Sequence, residues 1–153
     1  MDTRKTTPGL RYLEKWAVRI GGGVNHRIGL YDMILIKDNH VDYAGGIAKA
    51  IDAANAYLTE TGKKLPIEIE VRNMEELKQV LATGRVQRIM LDNFSPSVLK
   101  EAVALINGRF ITEASGGITE ENVVTYAACG VDYISMGALT HSVKSLDLSL
   151  KAY

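Results

Sequence analysis

The residues with chemical potential in this chain are unevenly placed and mostly cationic at the start. Arg4 and Lys5 follow Thr3, and His26 and Arg27 follow Asn25 just after the glycines Gly21-Gly22-Gly23. Lys37 comes directly after the apolar run Met33-Ile34-Leu35-Ile36. Arginine grips a carboxylate or phosphate through two parallel N–H bonds, whereas lysine and histidine supply point charge. Carboxylates appear later: Glu68 and Glu70 alternate within Ile67–Val71, and Asp92 follows Arg88–Leu91. Two glycine turns come last, Ser115-Gly116-Gly117 and Gly137-Ala138, the latter close to His141. Glycine lets the backbone approach a ligand, and exposed amides at a helix start attract phosphate. Together the set suits an anionic, phosphate-bearing ligand.

Each residue also has a plainer reading. Arg4 and Lys5 could be surface charges, Asn25-His26-Arg27 an ordinary polar loop, and His40 a cap for the segment after Lys37. Glu70 and Asp92 could form buried structural ion pairs, since an inward carboxylate is expensive without a cation or metal beside it. Cys129 lies in an apolar stretch with nothing basic nearby in sequence, which makes it a buried structural thiol.

The elements that must position these residues follow a strand–helix alternation. Strands are predicted at Met33–Ile36, Ile67–Val71, Arg88–Leu91, Arg109–Glu113 and Tyr133–Met136, all short and apolar. Helices are predicted at Leu10–Val18, Ile47–Leu58, Met74–Leu81, Pro96–Ile106 and Glu120–Ala128. Asn73, Ser95 and Thr119 stand where N-caps belong, Pro96 opens its helix, and Gly130 closes the last. Asp2–Gly9 reads as the end of a further strand and its loop. Regular β–α repetition means a parallel sheet with right-handed crossovers. These strands are too few to close an eight-stranded barrel. The expected fold is therefore an α/β, partial and open TIM-like β/α barrel, one incomplete catalytic domain over residues 1–153. Ligands of such folds bind beyond the carboxyl ends of the strands, where every predicted strand here delivers charge or glycine.

Lys+Arg and Asp+Glu both total 18, so bulk charge recruits neither nucleic acid nor a membrane. A single cysteine permits no internal disulfide and fits a reducing compartment. With no apolar run of membrane-spanning length and no signal-peptide pattern, the expected location is cytoplasmic.

The segments DTRKTTPGLR, EKWAVRIGGGVNHRIGLYDMILIKDNH, EIEV, LDNF, EASGGI and GVDYISMGALTHS, in that order, resemble the quinolinate phosphoribosyltransferase family, also called nicotinate-nucleotide pyrophosphorylase (carboxylating). The resemblance covers almost the whole chain, and its first three motifs are highly specific. It implies transfer of phosphoribose from 5-phosphoribosyl 1-pyrophosphate to the ring nitrogen of quinolinate, with loss of carbon dioxide. Nicotinate mononucleotide and pyrophosphate would be the products, a step of NAD synthesis. Magnesium would accompany the pyrophosphate.

Carried over position by position, Thr3, Arg4, His26, Arg27 and Lys37 correspond to quinolinate contacts. Lys5, Lys37, Glu70 and Asp92 correspond to catalytic positions, and Glu70 and Asp92 face the ribose and, indirectly, the metal. Ser115, Gly116, Gly117, Gly137, Ala138 and His141 correspond to the 5-phosphate end. Glu68 and Glu70 compete for the site on β-alternation alone, and motif alignment favours Glu70. Family members also carry an N-terminal domain and first barrel elements before DTRKT, and work as homodimers or larger homo-oligomers. Their absence suggests a truncated chain, unstable or oligomeric alone and of little turnover. The alternatives are a catalytically incomplete fragment that binds only phosphate or self-associates, and a related phosphoribosyltransferase for another aromatic acid.

Overall fold

The computed structural model describes residues 1–153. Its elements run α1 (Arg11–Ile20), β1 (Ile34–Ile36), α2 (Asp38–Ala44), α3 (Ile47–Thr61), β2 (Ile67–Val71), α4 (Met74–Thr83), β3 (Arg88–Asp92), α5 (Pro96–Ile106), β4 (Ile111–Ser115), α6 (Val123–Ala127), β5 (Tyr133–Ile134) and α7 (Ala138–His141). The sheet has five parallel strands in sequential order, β1-β2-β3-β4-β5. Sequential parallel neighbours joined by helices are what a barrel arc requires.

Strand alternation divides the sheet into two chemically different faces. Ile67, Ile69 and Val71 of β2, Ile89 and Leu91 of β3, and Ala114 of β4 face the helices. There they pack with Ile51, Leu77, Val80, Leu99 and Ile106 in the main hydrophobic core. The intervening residues Glu68, Glu70, Arg88, Met90, Asp92, Glu113 and Ser115 share the other face. The register stacks them side by side: Glu68 pairs with Arg88, Met90 with Glu113, and Asp92 with Ser115.

Local signals explain most boundaries. The Asn73 side chain accepts from the Glu75 and Glu76 amides at 3.0 and 2.9 Å, starting α4; such a cap contributes about 1 kcal/mol. Gly130, at φ 84°, ends the α6 turn.

Several expectations are corrected. The strand expected at Arg109–Glu113 begins at Ile111, because Arg109 folds back to donate to the Ile106 and Leu105 carbonyls at the end of α5. Helix α6 begins only at Val123, since Asn122, rather than Thr119, supplies the turning side chain by accepting the Thr119 amide at 2.8 Å. Ser95 precedes Pro96 as expected, but its hydroxyl meets Ser97 Oγ at 3.2 Å rather than capping the helix. Helices α2 and α7 had no predicted counterpart. The opening segment is not a strand of the ladder; it still lies along β5, where Met136 donates its amide to the Met1 carbonyl at 3.0 Å. On its other side Asp2 donates its amide to the Val24 carbonyl at 3.2 Å. No helix is long and apolar enough to cross a membrane.

Candidate active site

A cavity of about 820 Å³ opens at the carboxyl ends of the strands. Thr3, Arg4 and Lys5 line it from the opening segment, His26 and Arg27 from the loop after α1, and Lys37 from the end of β1. Glu70, Asp92 and Ser115 enter from β2, β3 and β4, Gly116 and Gly117 from the turn after β4, Gly137 and Ala138 from the start of α7, and His141 from its end. All the site positions nominated from sequence therefore converge on one concavity.

Arg4 Nε is buried without a hydrogen-bond partner, and the Arg4 carbonyl is held by Arg11 Nη2 at 3.3 Å. Arg27 reaches the Met33 carbonyl through Nη1 at 3.3 Å. Burial, then the positive charge of Arg4, lowers the Arg27 pKa, so the two guanidiniums repel each other. A ligand with two carboxylates would relieve that repulsion.

The carboxylates are arranged less symmetrically. Glu70 Oε2 lies 3.9 Å from Lys37 Nζ. Burial and the charge of Asp92 raise the Glu70 pKa, against the opposing effect of Lys37. Asp92 Oδ2 accepts from Asn93 Nδ2 at 2.6 Å. Asn93 itself takes the left-handed conformation, φ 57°, and donates its amide to the Ser115 carbonyl at 2.8 Å. That close approach explains Gly116: at φ 93°, a Cβ there would sit 2.8 Å from the Asn93 amide nitrogen and collide with its side-chain oxygen. Gly137 is similarly roofed by the His141 ring, whose Nδ1 pairs with Ser142 Oγ at 2.7 Å. Thr140, fully buried, ties α7 to the opening segment by donating to the Lys5 carbonyl at 2.8 Å.

The choice between Glu68 and Glu70 resolves into two roles. Both share a face, but only Glu70 borders the cavity. Glu68 lies below it with no exposed surface, in a cluster with His26, Glu113 and Arg88. His26 Nε2 is 2.9 Å from Glu68 Oε2 and 3.5 Å from Glu113 Oε2, and Arg88 Nη1 donates to Glu113 Oε2 at 3.3 Å. The His26 Nε2 meets neither carboxylate in good hydrogen-bond geometry.

Burial alone would lower the His26 pKa, but the Glu113 and Glu68 carboxylates outweigh it and raise it to about 9. Burial, then the charge of Glu113, raises Glu68 to about 7 despite His26. His26 Nδ1 accepts the Arg27 amide at 2.8 Å, which an imidazolium could not do. The geometry thus favours a neutral ring with the balancing proton on Glu68, and the two shifts describe one shared proton. The atoms of His26, Glu68 and Glu113 are close enough to ligate a metal ion. Arg88 together with that proton already neutralises the cluster, so a divalent cation would leave it unbalanced.

Sequence reasoning passed over Asp2, Lys15, Arg88 and Asn93. Asn93 carried a signal in its place after Asp92. For the others the partners are remote in sequence, and only a lysine on a buried helix face could have raised suspicion.

A parallel β/α barrel arc with arginines, two carboxylates and glycine turns at one rim forms a cavity suited to an anionic ligand. Its sequence profile matches the family described as quinolinate phosphoribosyl transferase, C-terminal domain, over residues 1–151, and the chain belongs to that family. It is 53% identical over 165 residues to the chloroplastic nicotinate-nucleotide pyrophosphorylase [carboxylating] of Arabidopsis thaliana, covering 99% of this chain and 47% of that protein. A probable nicotinate-nucleotide pyrophosphorylase [carboxylating] of Bacillus subtilis is 50% identical, with 97% and 50% covered. The crystal structure of NadC from Streptococcus pyogenes superimposes with a TM-score of 0.91 at 46% identity, covering 99% of this chain and 52% of that one. The chain thus spans about half the length of the curated relatives it matches.

Proposed function

We propose that the protein carrying this chain transfers phosphoribose to the ring nitrogen of quinolinate with decarboxylation, in line with relatives named quinolinate phosphoribosyltransferase [decarboxylating]. The observation that carries the reading is the convergence of Arg4, Arg27, Lys37, Glu70, Asp92 and two glycine turns on one cavity. Two fixed arginines suit two adjacent carboxylates on one aromatic ring.

Arg4 and Arg27 hold the quinolinate carboxylates, with Thr3, Lys37 and His26 beside them, and so point the ring nitrogen at C1 of the ribose. Lys5 and Lys37 neutralise pyrophosphate as the C1–oxygen bond breaks and the nitrogen–C1 bond forms. Glu70 and Asp92 stabilise the positive charge that develops on the ribose, as carboxylates do in glycoside hydrolysis. Ser115, Gly116, Gly117, Gly137, Ala138 and His141 receive the 5-phosphate. The ring nitrogen, now cationic, draws electrons from the adjacent carbon–carboxylate bond; carbon dioxide leaves and the ring carbon takes up a proton.

Magnesium fits this site: burial and the charge of Asp92 raise the Glu70 pKa, and only Lys37 lies within ion-pair reach of Glu70. They would hold the ion with the pyrophosphate, whose departing charge it would neutralise. The single cysteine supports a reducing, cytoplasmic setting, although plant relatives are named chloroplastic or mitochondrial. Exposed Tyr12, Trp16 and Ile20 on α1 support assembly as a homodimer or larger homo-oligomer.

Full-length protein mixed with quinolinate, phosphoribosyl pyrophosphate and magnesium should release pyrophosphate and carbon dioxide. A folded preparation giving neither product would reject the assignment. Competition with nicotinate separates this enzyme from one for a mono-acid, since a single carboxylate does not need both arginines.

A further inference from the structure

Outside the cavity wall lies a second buried ionic cluster that the proposed chemistry does not use. Asp2 has no exposed surface, and Lys15 is 3% exposed. Lys15 Nζ donates to Asp2 Oδ1 at 2.6 Å and to the His26 carbonyl at 3.0 Å. Asp2 Oδ1 also accepts the His26 amide at 2.8 Å, and Oδ2 accepts Asn25 Nδ2 at 2.5 Å. Asn25 Nδ2 is shared with the Lys15 carbonyl at 2.8 Å. The ion pair therefore grips His26 by both its N–H and its C=O.

Two cation-bearing segments meet at this clamp. Asp2 immediately precedes Thr3-Arg4-Lys5, and His26 immediately precedes Arg27. One carboxylate thus anchors the backbone beneath both guanidiniums, whose charges push them apart. A buried ion pair is a poor source of stability, because desolvation consumes most of its Coulomb energy. Its value lies in geometry: with both ends hydrogen-bonded to one residue, it has a single arrangement.

We propose that Asp2 and Lys15 are positioning residues that set the spacing of Arg4 and Arg27, and through it the preference for an aromatic acid with two carboxylates over one with a single carboxylate. The inference rests on quinolinate being the acceptor. Neither residue touches substrate. Their loss lets the segments relax along their mutual repulsion, and a displacement of an ångström at a bidentate contact costs up to about a hundredfold.

The test uses full-length protein carrying Asp2→Asn, Lys15→Met, and both together, with Lys15→Arg as the conservative control. The double variant removes both buried charges at near-constant volume and should fold even if Asp2→Asn alone does not. KM for quinolinate should rise about tenfold or more while KM for phosphoribosyl pyrophosphate stays within about twofold. Nicotinate should inhibit these variants more effectively, relative to quinolinate, than it inhibits the native protein. Lys15→Arg should restore much of the preference.

A merely structural role would lower Tm and weaken both substrates alike, which would overturn the proposal, as would an unchanged quinolinate KM in a folded double variant. If the native protein itself does not turn over quinolinate, the functional assignment fails and this inference fails with it. Native turnover with unaffected variants removes the clamp alone.

Discussion

Glu68 and Glu70 stand two residues apart on the same face of β2, yet Glu70 borders the cavity while Glu68 is sealed beneath it, 2.9 Å from His26 Nε2. One strand thus delivers a carboxylate to the cavity and another to the floor beneath it. The floor limits where the cationic loop can rest, because His26 joins Glu68 below to Arg27 above.

The shared proton of that floor predicts how stability varies with pH. Glu68, which carries that proton, has its folded-state pKa raised to about 7. Stabilisation from a raised group is complete below its unfolded pKa and is lost as pH rises through the folded one. Tm should therefore decline as pH rises from about 5 to about 7. Glu68→Gln keeps that position uncharged throughout and should flatten the decline. Thermal denaturation across a pH series, native against variant, measures it; equal slopes would rule the proton out.

Gly116 admits no side chain without moving Asn93. Gly116→Ala should cost about 1–3 kcal/mol through the positive φ and the collision. It should also disturb Asp92, whose carboxylate Asn93 holds. Urea denaturation gives the first quantity, and kcat/KM of the full-length protein the second.

Arg4→Lys and Arg27→Lys retain charge but lose the two-pronged grip. Each should raise KM for quinolinate by about tenfold or more, with less effect on phosphoribosyl pyrophosphate. Steady-state kinetics with each substrate varied in turn would reveal equal effects on both, which would contradict the assignment of these arginines.

Glu70→Gln keeps shape and removes charge. If the carboxylate stabilises a cationic ribose, kcat should fall by about a hundredfold with KM little changed. Single-turnover measurements isolate that step from product release.

Leu99 is fully buried between α5 and the sheet. Leu99→Ala should destabilise by about 2–5 kcal/mol, read from the urea midpoint, while the substrate KM values of the remaining folded protein stay unchanged.

The sequence by itself determined the β–α alternation, the parallel sheet and the rim on which polar residues gather, because these follow from local periodicity and from what ends each strand. Asn73 as a cap and Pro96 at a helix start are of the same kind, being settled within a few residues. The tertiary structure decided what depends on partners far along the chain. Arg88 meets Glu113 across a gap of 25 positions, and Lys15 meets Asp2 across 13. Periodicity put Glu68 and Glu70 on one face but carried no depth; depth came from the loop of His26 lying over one and leaving the other open. Arg109, apolar neighbours notwithstanding, left its expected strand because two carbonyls at the end of α5 lacked donors. Alternation is a property of a strand alone, whereas burial and ion pairing exist only once separate segments have been brought together.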